Sequence, residues 1–343
     1  MALKVLHMHF GKEGGAERFF VGLCQAFAEA GLEQRFVTRP NRLWADDIAA
    51  LGPVIHSHYR RIAPSSVWLT WRVHAMVRSW KPDAIMAWMS RSSRLMPNYP
   101  DAVKLTRLGD YPRHIKHFRY NDLIVPNTPD IGRWCQEMGW SGRVEVISNF
   151  AREVAAMPVD RSDLDTPADA FVIAGSGRFI RRKGFDTLVA AAAQRPGAWL
   201  WLIGAGDKQE DLEAQVRAAG MADRTRFVGW VEEPMRYVAA ADVFVMPSRH
   251  EPLGNVVLEA WAAGVPCITT ASEGPSWFAT HEQDCLIVPI DGIDEMAAAL
   301  ARIETEPDLS AHLVAMGRDT LAKRFSKDAV VAEYMRIFRG TAE

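Results

Sequence analysis

R-H-E-P-L-G-N-V-V-L-E-A-W-A-A-G-V-P-C-I-T-T, from Arg249 to Thr270, is the stretch on which the reading of the fold turns. Its middle, Asn255–Ala263, is an apolar helical run stopped by Gly264 and Pro266. A short strand-like segment, Cys267–Thr269, follows at once, and a helix feeding directly into a strand is the unit of parallel α/β sheets. Glu259 is the only charge in the helix. Its neighbours three and four positions away are Asn255, Val256, Ala262 and Ala263, so no local cation pairs with it. A carboxylate in such company faces either solvent or a ligand rich in hydroxyl donors. Glu251 stands eight residues earlier, just before the helix start, where unpaired backbone N–H groups favour anions. Two carboxylates flanking a helix N-terminus suit a molecule with hydroxyls at both ends and phosphates between them, such as a nucleotide sugar.

The same alternation runs through the chain. Strands are expected at Lys4–His9, Arg35–Thr38, Ala84–Ala87, Val103–Thr106, Leu123–Val125 and Val144–Ile147, with helices at Ala16–Glu29, Ser65–Trp80 and Asp130–Met138. Residues 151–170 carry Pro158, Pro167 and five acids without apolar periodicity, and read as an interdomain connection. The pattern restarts with strands at Phe171–Gly175, Trp199–Ile203, Arg226–Val228, Val243–Met246, Cys267–Thr269 and Leu286–Val288. Helices at Gly292–Ile303, Leu309–Arg324 and Lys327–Phe338 close the chain. The expectation is an α/β protein of two doubly wound Rossmann-like domains, residues 1–150 and 171–325, with a ligand cleft at the carboxyl ends of both sheets. The last segment, 326–343, is expected to pack back on the first domain.

Composition is that of an ordinary globular protein of 343 residues: 48% hydrophobic, 24% charged, net charge −2. Cys24, Cys135, Cys267 and Cys285 form no CxxC pair, which argues against a disulfide framework or a zinc site. No apolar run is long enough to span a membrane, and the N-terminus reads as a first strand rather than a signal peptide, so a cytoplasmic protein is expected. Charge is uneven: residues 1–150 hold 20 Lys and Arg against 13 Asp and Glu. No acid occurs between Ile48 and Pro82, a stretch holding Arg60, Arg61, Arg72, Arg78 and Lys81 with Trp68, Trp71 and Trp80. One reading is a solvated helix face. The other is a patch at residues 48–82 that rests on the anionic inner-membrane surface, with Trp at the headgroup level. Nucleic acid is not expected, since no recognition motif accompanies the charge.

Several loops have the make-up of phosphate-binding turns. After Phe171–Gly175 comes G-S-G-R-F-I-R-R-K-G-F-D, which puts Arg178 and Lys183 where cations can neutralise a diphosphate. The G-S-G at Gly175 and the G-A-G at Gly204 lack the third glycine of a dinucleotide fingerprint, with Ile180 and Gln209 in its place. Near the start, F-G-K-E-G-G-A-E-R joins the first strand to the first helix, and Gly14 and Gly15 give a flexible turn before helix amides. The D-x-D at Asp163–Asp165 has a metal-binding spacing but lies in the acidic connection, and no metal is expected.

Together these blocks resemble the E-x7-E motif and its surroundings in the retaining, family-four glycosyltransferases of GT-B fold. H-E-P-L-G-N-V-V-L-E, G-R-F-I-R-R-K-G-F-D, L-I-G-A-G-D, F-V-G-W-V, V-E-V-I-S-N-F and G-G-A-E-R all occur in that family's order. The resemblance implies a retaining hexosyltransferase with a UDP- or GDP-linked sugar as co-substrate and a glycan or glycolipid acceptor. It implies that Glu251 holds donor-sugar hydroxyls, that Leu253, Gly254 and Asn255 present amides, and that Glu259 binds the ribose. Arg178 and Lys183 would bind the diphosphate, Gly204 would border the same site, and Gly229, Trp230 and Val231 would flank the base. Gly14 and Gly15 would line the donor site from the other domain. Where many members carry a His, this chain has Gly109 and Asp110, so Asp110, His114 or His117 is the alternative for polar work there. Trp277 stands where a Glu is common. R-L-G-x-Y and L-I-x-x-N-T-P resemble bacterial enzymes of lipopolysaccharide core or other cell-surface glycan synthesis. Another GT-B reaction, epimerase or phosphorylase, or a non-catalytic nucleotide-sugar binder are the competing readings. The E-x7-E block argues against the epimerase and the short chain against the phosphorylase.

Overall fold

A computed structural model describes residues 2–11, 14–59, 64–151 and 157–340. Arg60 and Arg61 of the basic stretch lie outside the described residues. The chain forms two compact units, Met1–Asn149 with Lys327–Glu343, and Phe150–Ser326.

The first unit is a seven-stranded parallel sheet of β1 Lys4–His9, β2 Glu33–Thr38, β3 Val54–His56, β4 Ala84–Trp88, β5 Val103–Leu108, β6 Leu123–Pro126 and β7 Arg143–Val144, in the order β3-β2-β1-β4-β5-β6-β7. The inner strand β1 is buried on both faces: Val5, Leu6, His7, Met8 and His9 are all inaccessible or nearly so. That is why β1 reads as a continuous run rather than an alternating one. Leu6, Met8, Val37 and Ile85 form one core with Leu69, Val73, Val77 and Trp80 from the helix Pro64–Trp80. The helix Lys327–Phe338 belongs to this unit, where Tyr334 and Phe338 meet Phe27 edge-on at 5.6 and 5.5 Å.

The second unit is a six-stranded parallel sheet of β8 Val172–Ser176, β9 Trp199–Ile203, β10 Thr225–Gly229, β11 Val243–Met246, β12 Cys267–Thr270 and β13 Leu286–Val288, in the order β10-β9-β8-β11-β12-β13. One face carries Ile173, Leu200, Leu202, Val245 and Ile268 with helices that supply Leu188 and Leu300. The other carries Phe244 and Ile203 against Val257, Leu258 and Trp261 of the helix Asn255–Ala263.

In both sheets the strand order reverses beside the first strand, between β1 and β4 and between β8 and β11. The loops leaving those strands diverge to opposite faces and open a crevice at the carboxyl ends. Sequence and structure differ in several places, and the short helices Ala45–Ala49 and Met89–Ser93 fall in no expected element. Strand β3, three residues long, falls in no expected element, and the strand expected at Val144–Ile147 is only Arg143–Val144. Trp80 is not on the basic patch. It is 6% exposed, donates its indole N–H to Glu33 at 2.6 Å and lies under the Arg35 guanidinium at 4.7 Å. Trp68 and Trp71 are 57% and 67% exposed, and Arg72 stacks on Trp68 at 4.6 Å.

Candidate active site

The loops that follow β8 and β11 carry the charged residues, and close packing holds them together. After β8, Phe179 is fully buried and pins the loop, while Arg178 beside it is exposed. Gly184 takes φ 65°, and a Cβ there would sit 2.0 Å from the Pro247 carbonyl at the end of β11. Only glycine lets the two loops touch. Gly204 plays a similar part: its missing Cβ would lie 1.9 Å from the Gly177 carbonyl. The two short glycine clusters therefore pack loop upon loop.

Arg249 fastens the same pair of loops with charge. Its guanidinium forks onto Asp186 at 2.9 and 2.6 Å, reaches Asp291 at 2.6 Å and donates to the Arg181 carbonyl at 2.7 Å. Burial pushes the Asp186 carboxyl upward, but the hydrogen bond and charge of Arg249 outweigh it and hold the group below its ordinary value. Held this way, Lys183 of the first loop meets Glu251 of the second in an ion pair between Nζ and Oε2. Ser248 donates its hydroxyl to the same oxygen at 3.3 Å.

Glu251 precedes the helix Asn255–Ala263 by one turn of irregular chain. Leu253 is buried, and Gly254 caps the helix at φ 90° and ψ 49°, a left-handed conformation that a side chain would strain. Glu259 lies in the second turn and is half-buried, on the stripe that also leaves Asn255, Val256, Ala262 and Ala263 partly open. Val257, Leu258, Ala260 and Trp261 fill the opposite side. Gly264 ends the helix at φ 75°. At the outermost strand, Gly229 takes φ 80° and Trp230 is 71% exposed.

The structure thus places Arg178, Lys183, Gly204, Glu251, Leu253, Gly254, Asn255 and Glu259 at the carboxyl ends of β8, β9 and β11, and Gly229–Val231 at the end of β10. Of these charged residues, Lys183 and Glu251 are in direct contact. In the first unit, Gly14 caps the helix Gly15–Glu29 just after β1, and Asp110 lies exposed after β5, its carboxylate accepting the Tyr111 N–H at 2.8 Å. Of the two alternatives to Asp110, His117 binds the Arg94 guanidinium at 2.9 Å and meets the exposed His114 edge-on at 5.8 Å. Trp277 packs against Phe325 under the Arg324 guanidinium, an aromatic core contact. Among the described residues, no group of three His, Cys, Asp or Glu is placed to hold a metal ion, and Asp163 and Asp165 are exposed on a 3-10 turn.

Sequence reasoning missed four contributors. Arg249 opens the quoted stretch and Ser248 stands just before it, but neither carries a motif signature. Glu273 accepts the Glu251 backbone N–H at 3.1 Å and pairs with His250 at 2.7 Å. His9, buried at the end of β1, stands 3.6 Å from the Glu17 carboxylate of G-G-A-E-R. Burial depresses its basicity more than Glu17 raises it.

A six-stranded doubly wound sheet with paired acid and base at its switch point, beside a capped helix N-terminus, is a frame that binds a ligand at the carboxyl ends of its strands. Residues 157–320 match the family described as glycosyl transferases group 1. Over almost its whole length the chain is 45% identical to two proteins of Rhizobium meliloti (strain 1021) described as lipopolysaccharide core biosynthesis glycosyltransferases. One, LpsE, aligns over 98% of both chains, and the other, LpsD, over 99% of this chain and all of its own. Among solved structures, Anabaena HepE in complex with UDP and glucose superimposes with a TM-score of 0.82 at 18% identity, covering 98% of this chain and all of that one. The chain belongs to the group 1 glycosyltransferases, with the GT-B fold. It is a glycosyltransferase whose near full-length relatives are enzymes of lipopolysaccharide core biosynthesis.

Proposed function

We propose that this glycosyltransferase moves a sugar, with retention and without a metal ion, from a UDP- or GDP-linked donor to a hydroxyl of a lipopolysaccharide-core-type glycolipid. The observation that carries the donor reading is the Lys183–Glu251 pair, seated at the carboxyl end of the second sheet where its strand order reverses. Lys183 and Arg178 would take the diphosphate, and the amides of Leu253, Gly254 and Asn255 would face it at the helix start. Glu251 would turn to the donor-sugar hydroxyls, and Glu259, on the half-open stripe, to the ribose.

In the step itself the bond from the anomeric carbon to the diphosphate oxygen breaks, and its electron pair leaves with the diphosphate. The acceptor oxygen bonds to the same carbon from the same face, and its proton passes to the departing diphosphate. Negative charge grows on the leaving group, so fixed cations and helix amides lower the barrier more than they stabilise the bound donor. At the carboxyl ends of the first sheet, Gly14–Gly15 would serve the donor and Asp110 would do polar work near the donor sugar.

We further propose peripheral contact with the cytoplasmic face of the inner membrane. No helix among the described residues is long and apolar enough to cross a membrane. Support comes from the helix Pro64–Trp80, where Val67, Trp68 and Trp71 are exposed, and from Arg72, Arg78 and Lys81, none with an ion-pair partner among the described residues. Such a face suits anionic headgroups.

The donor reading is tested by calorimetric titration of UDP and GDP into the wild type and into Glu259→Ala and Arg178→Ala. Loss of affinity for one nucleotide in both variants supports it. Unchanged affinity in both removes it.

A further inference from the structure

Glu251 is held from two sides. Its carboxylate meets Lys183 and the Ser248 hydroxyl. Its backbone is gripped by the first turn of the short helix Glu273–Phe278 that follows β12, where Glu273 and Gly274 are consecutive. The Glu273 carboxylate accepts the Glu251 N–H at 3.1 Å, and the Gly274 N–H donates to the Glu251 carbonyl at 2.9 Å. Both polar groups of one residue are thus fixed by one neighbouring turn. Gly274 makes the grip possible, because a Cβ there would stand 2.2 Å from the Leu253 carbonyl. The other oxygen of Glu273 lies 2.7 Å from Nδ1 of His250, the residue just before Glu251. One carboxylate therefore fixes two successive residues at the end of β11.

Glu273 also stays ionised. Burial pushes its pKa upward, but the bond to His250 and those from backbone N–H groups prevail and hold it below the ordinary value. An ionised acceptor binds a backbone N–H more strongly than a neutral one. A side chain that must meet sugar hydroxyls is sensitive to its backbone, since displacements near 1 Å can cost about 100-fold in rate.

We propose that Glu273 is the positioning residue for Glu251, and that the two act as one unit in sugar transfer. The proposal rests on the reading of Glu251 as the donor-sugar residue. It requires that Glu273 influence turnover only through Glu251.

The test is a double-mutant cycle of Glu251→Ala and Glu273→Ala, with Glu273→Gln as a third single variant. Turnover is read as nucleoside diphosphate released from the UDP- or GDP-sugar the wild type accepts, with core-truncated lipopolysaccharide as acceptor. Nucleoside diphosphate affinity and the thermal midpoint are measured alongside. Glu273→Ala is expected to lower kcat roughly 10- to 100-fold while nucleoside diphosphate affinity changes less than about threefold. In the Glu251→Ala background the same change is expected to cost no more than about twofold, because there is nothing left to position. Glu273→Gln keeps an oxygen for the Glu251 N–H and is expected to recover most of the activity. Losses that multiply in the double variant overturn the proposal, as does a Glu273→Gln enzyme no better than Glu273→Ala. If Glu273→Ala fails to fold, the cycle is run with Glu273→Asp, whose carboxylate is one methylene short of the Glu251 N–H, and the same multiplication is decisive. Full activity in Glu251→Ala alone removes the donor-sugar reading instead, so the two failures are distinguishable.

Discussion

Lys183→Ala separates binding from stability. The substitution deletes the ammonium that pairs with Glu251 on the loop after β8. If that ammonium also meets the donor diphosphate, its loss removes a charge-assisted hydrogen bond worth about 1.5–3 kcal/mol. That is roughly a 10- to 150-fold weaker dissociation constant for the nucleoside diphosphate. Stability should hardly move, because a partly exposed pair contributes on the order of 1 kcal/mol or less. For a unit the size of Phe150–Ser326 this is a shift of about 2–4 °C at most. Glu251→Gln makes the opposite demand. It frees Lys183 from its partner, so diphosphate affinity should hold or rise while turnover falls. Calorimetry with UDP and GDP reads the first quantity and scanning fluorimetry the second. The reasoning is refuted if Lys183→Ala binds the preferred nucleotide as the wild type does. It is equally refuted if Glu251→Gln weakens that binding as much as Lys183→Ala.

Gly184→Ala should destabilise the second unit by more than about 1 kcal/mol, since the Cβ would meet the Pro247 carbonyl at 2.0 Å from a left-handed backbone; thermal unfolding reports it. Arg249→Ala should lose the tie to Asp186, Asp291 and the Arg181 carbonyl, cost about 1 kcal/mol, and raise the donor KM; steady-state kinetics at matched folded fraction decide it. His7 is buried among Phe20, Phe27 and Phe36, and burial lowers its pKa to about 3. The native state stays neutral where the unfolded chain takes up a proton. This contribution is therefore complete above pH 6.5 and fades as pH falls toward about 3, at up to about 1.4 kcal/mol per pH unit. Denaturant titrations between pH 4.5 and 6.5 should show a flatter slope in His7→Phe. Ser at both Trp68 and Trp71 should lower binding to phosphatidylglycerol vesicles, and equal binding by both proteins would remove the patch.

Much of the second unit was legible because its signals are chemical as well as periodic. The helix Asn255–Ala263 and the stops at Gly264 and Pro266 follow from residue types alone, and its lone Glu259 marked a half-buried stripe. Trp80 was misassigned although helix geometry separates it: nine positions from Trp71 is about 900° of rotation, the opposite face. Strands β3 and β7 are three and two residues long, too short for an alternating pattern to show. Arg249, Ser248, His250 and Glu273 were hidden for another reason. Their partners lie 3 to 68 positions away, and the distant pairings exist only once the sheet order brings β8, β11 and β12 side by side.

The helix Lys327–Phe338 has a bearing on how the chain is made. It belongs to the first unit and packs Tyr334 and Phe338 against Phe27, so that unit is assembled from both ends of the sequence. The second unit, Phe150–Ser326, is continuous. On the ribosome the strands of the first unit are made before Phe150–Ser326, but its helix Lys327–Phe338 only after it, while the second unit is made in one continuous piece. The usual order, in which the N-terminal domain folds first, is therefore turned inside out. Until Lys327–Phe338 has been made, the Phe27 face stands without Tyr334 and Phe338.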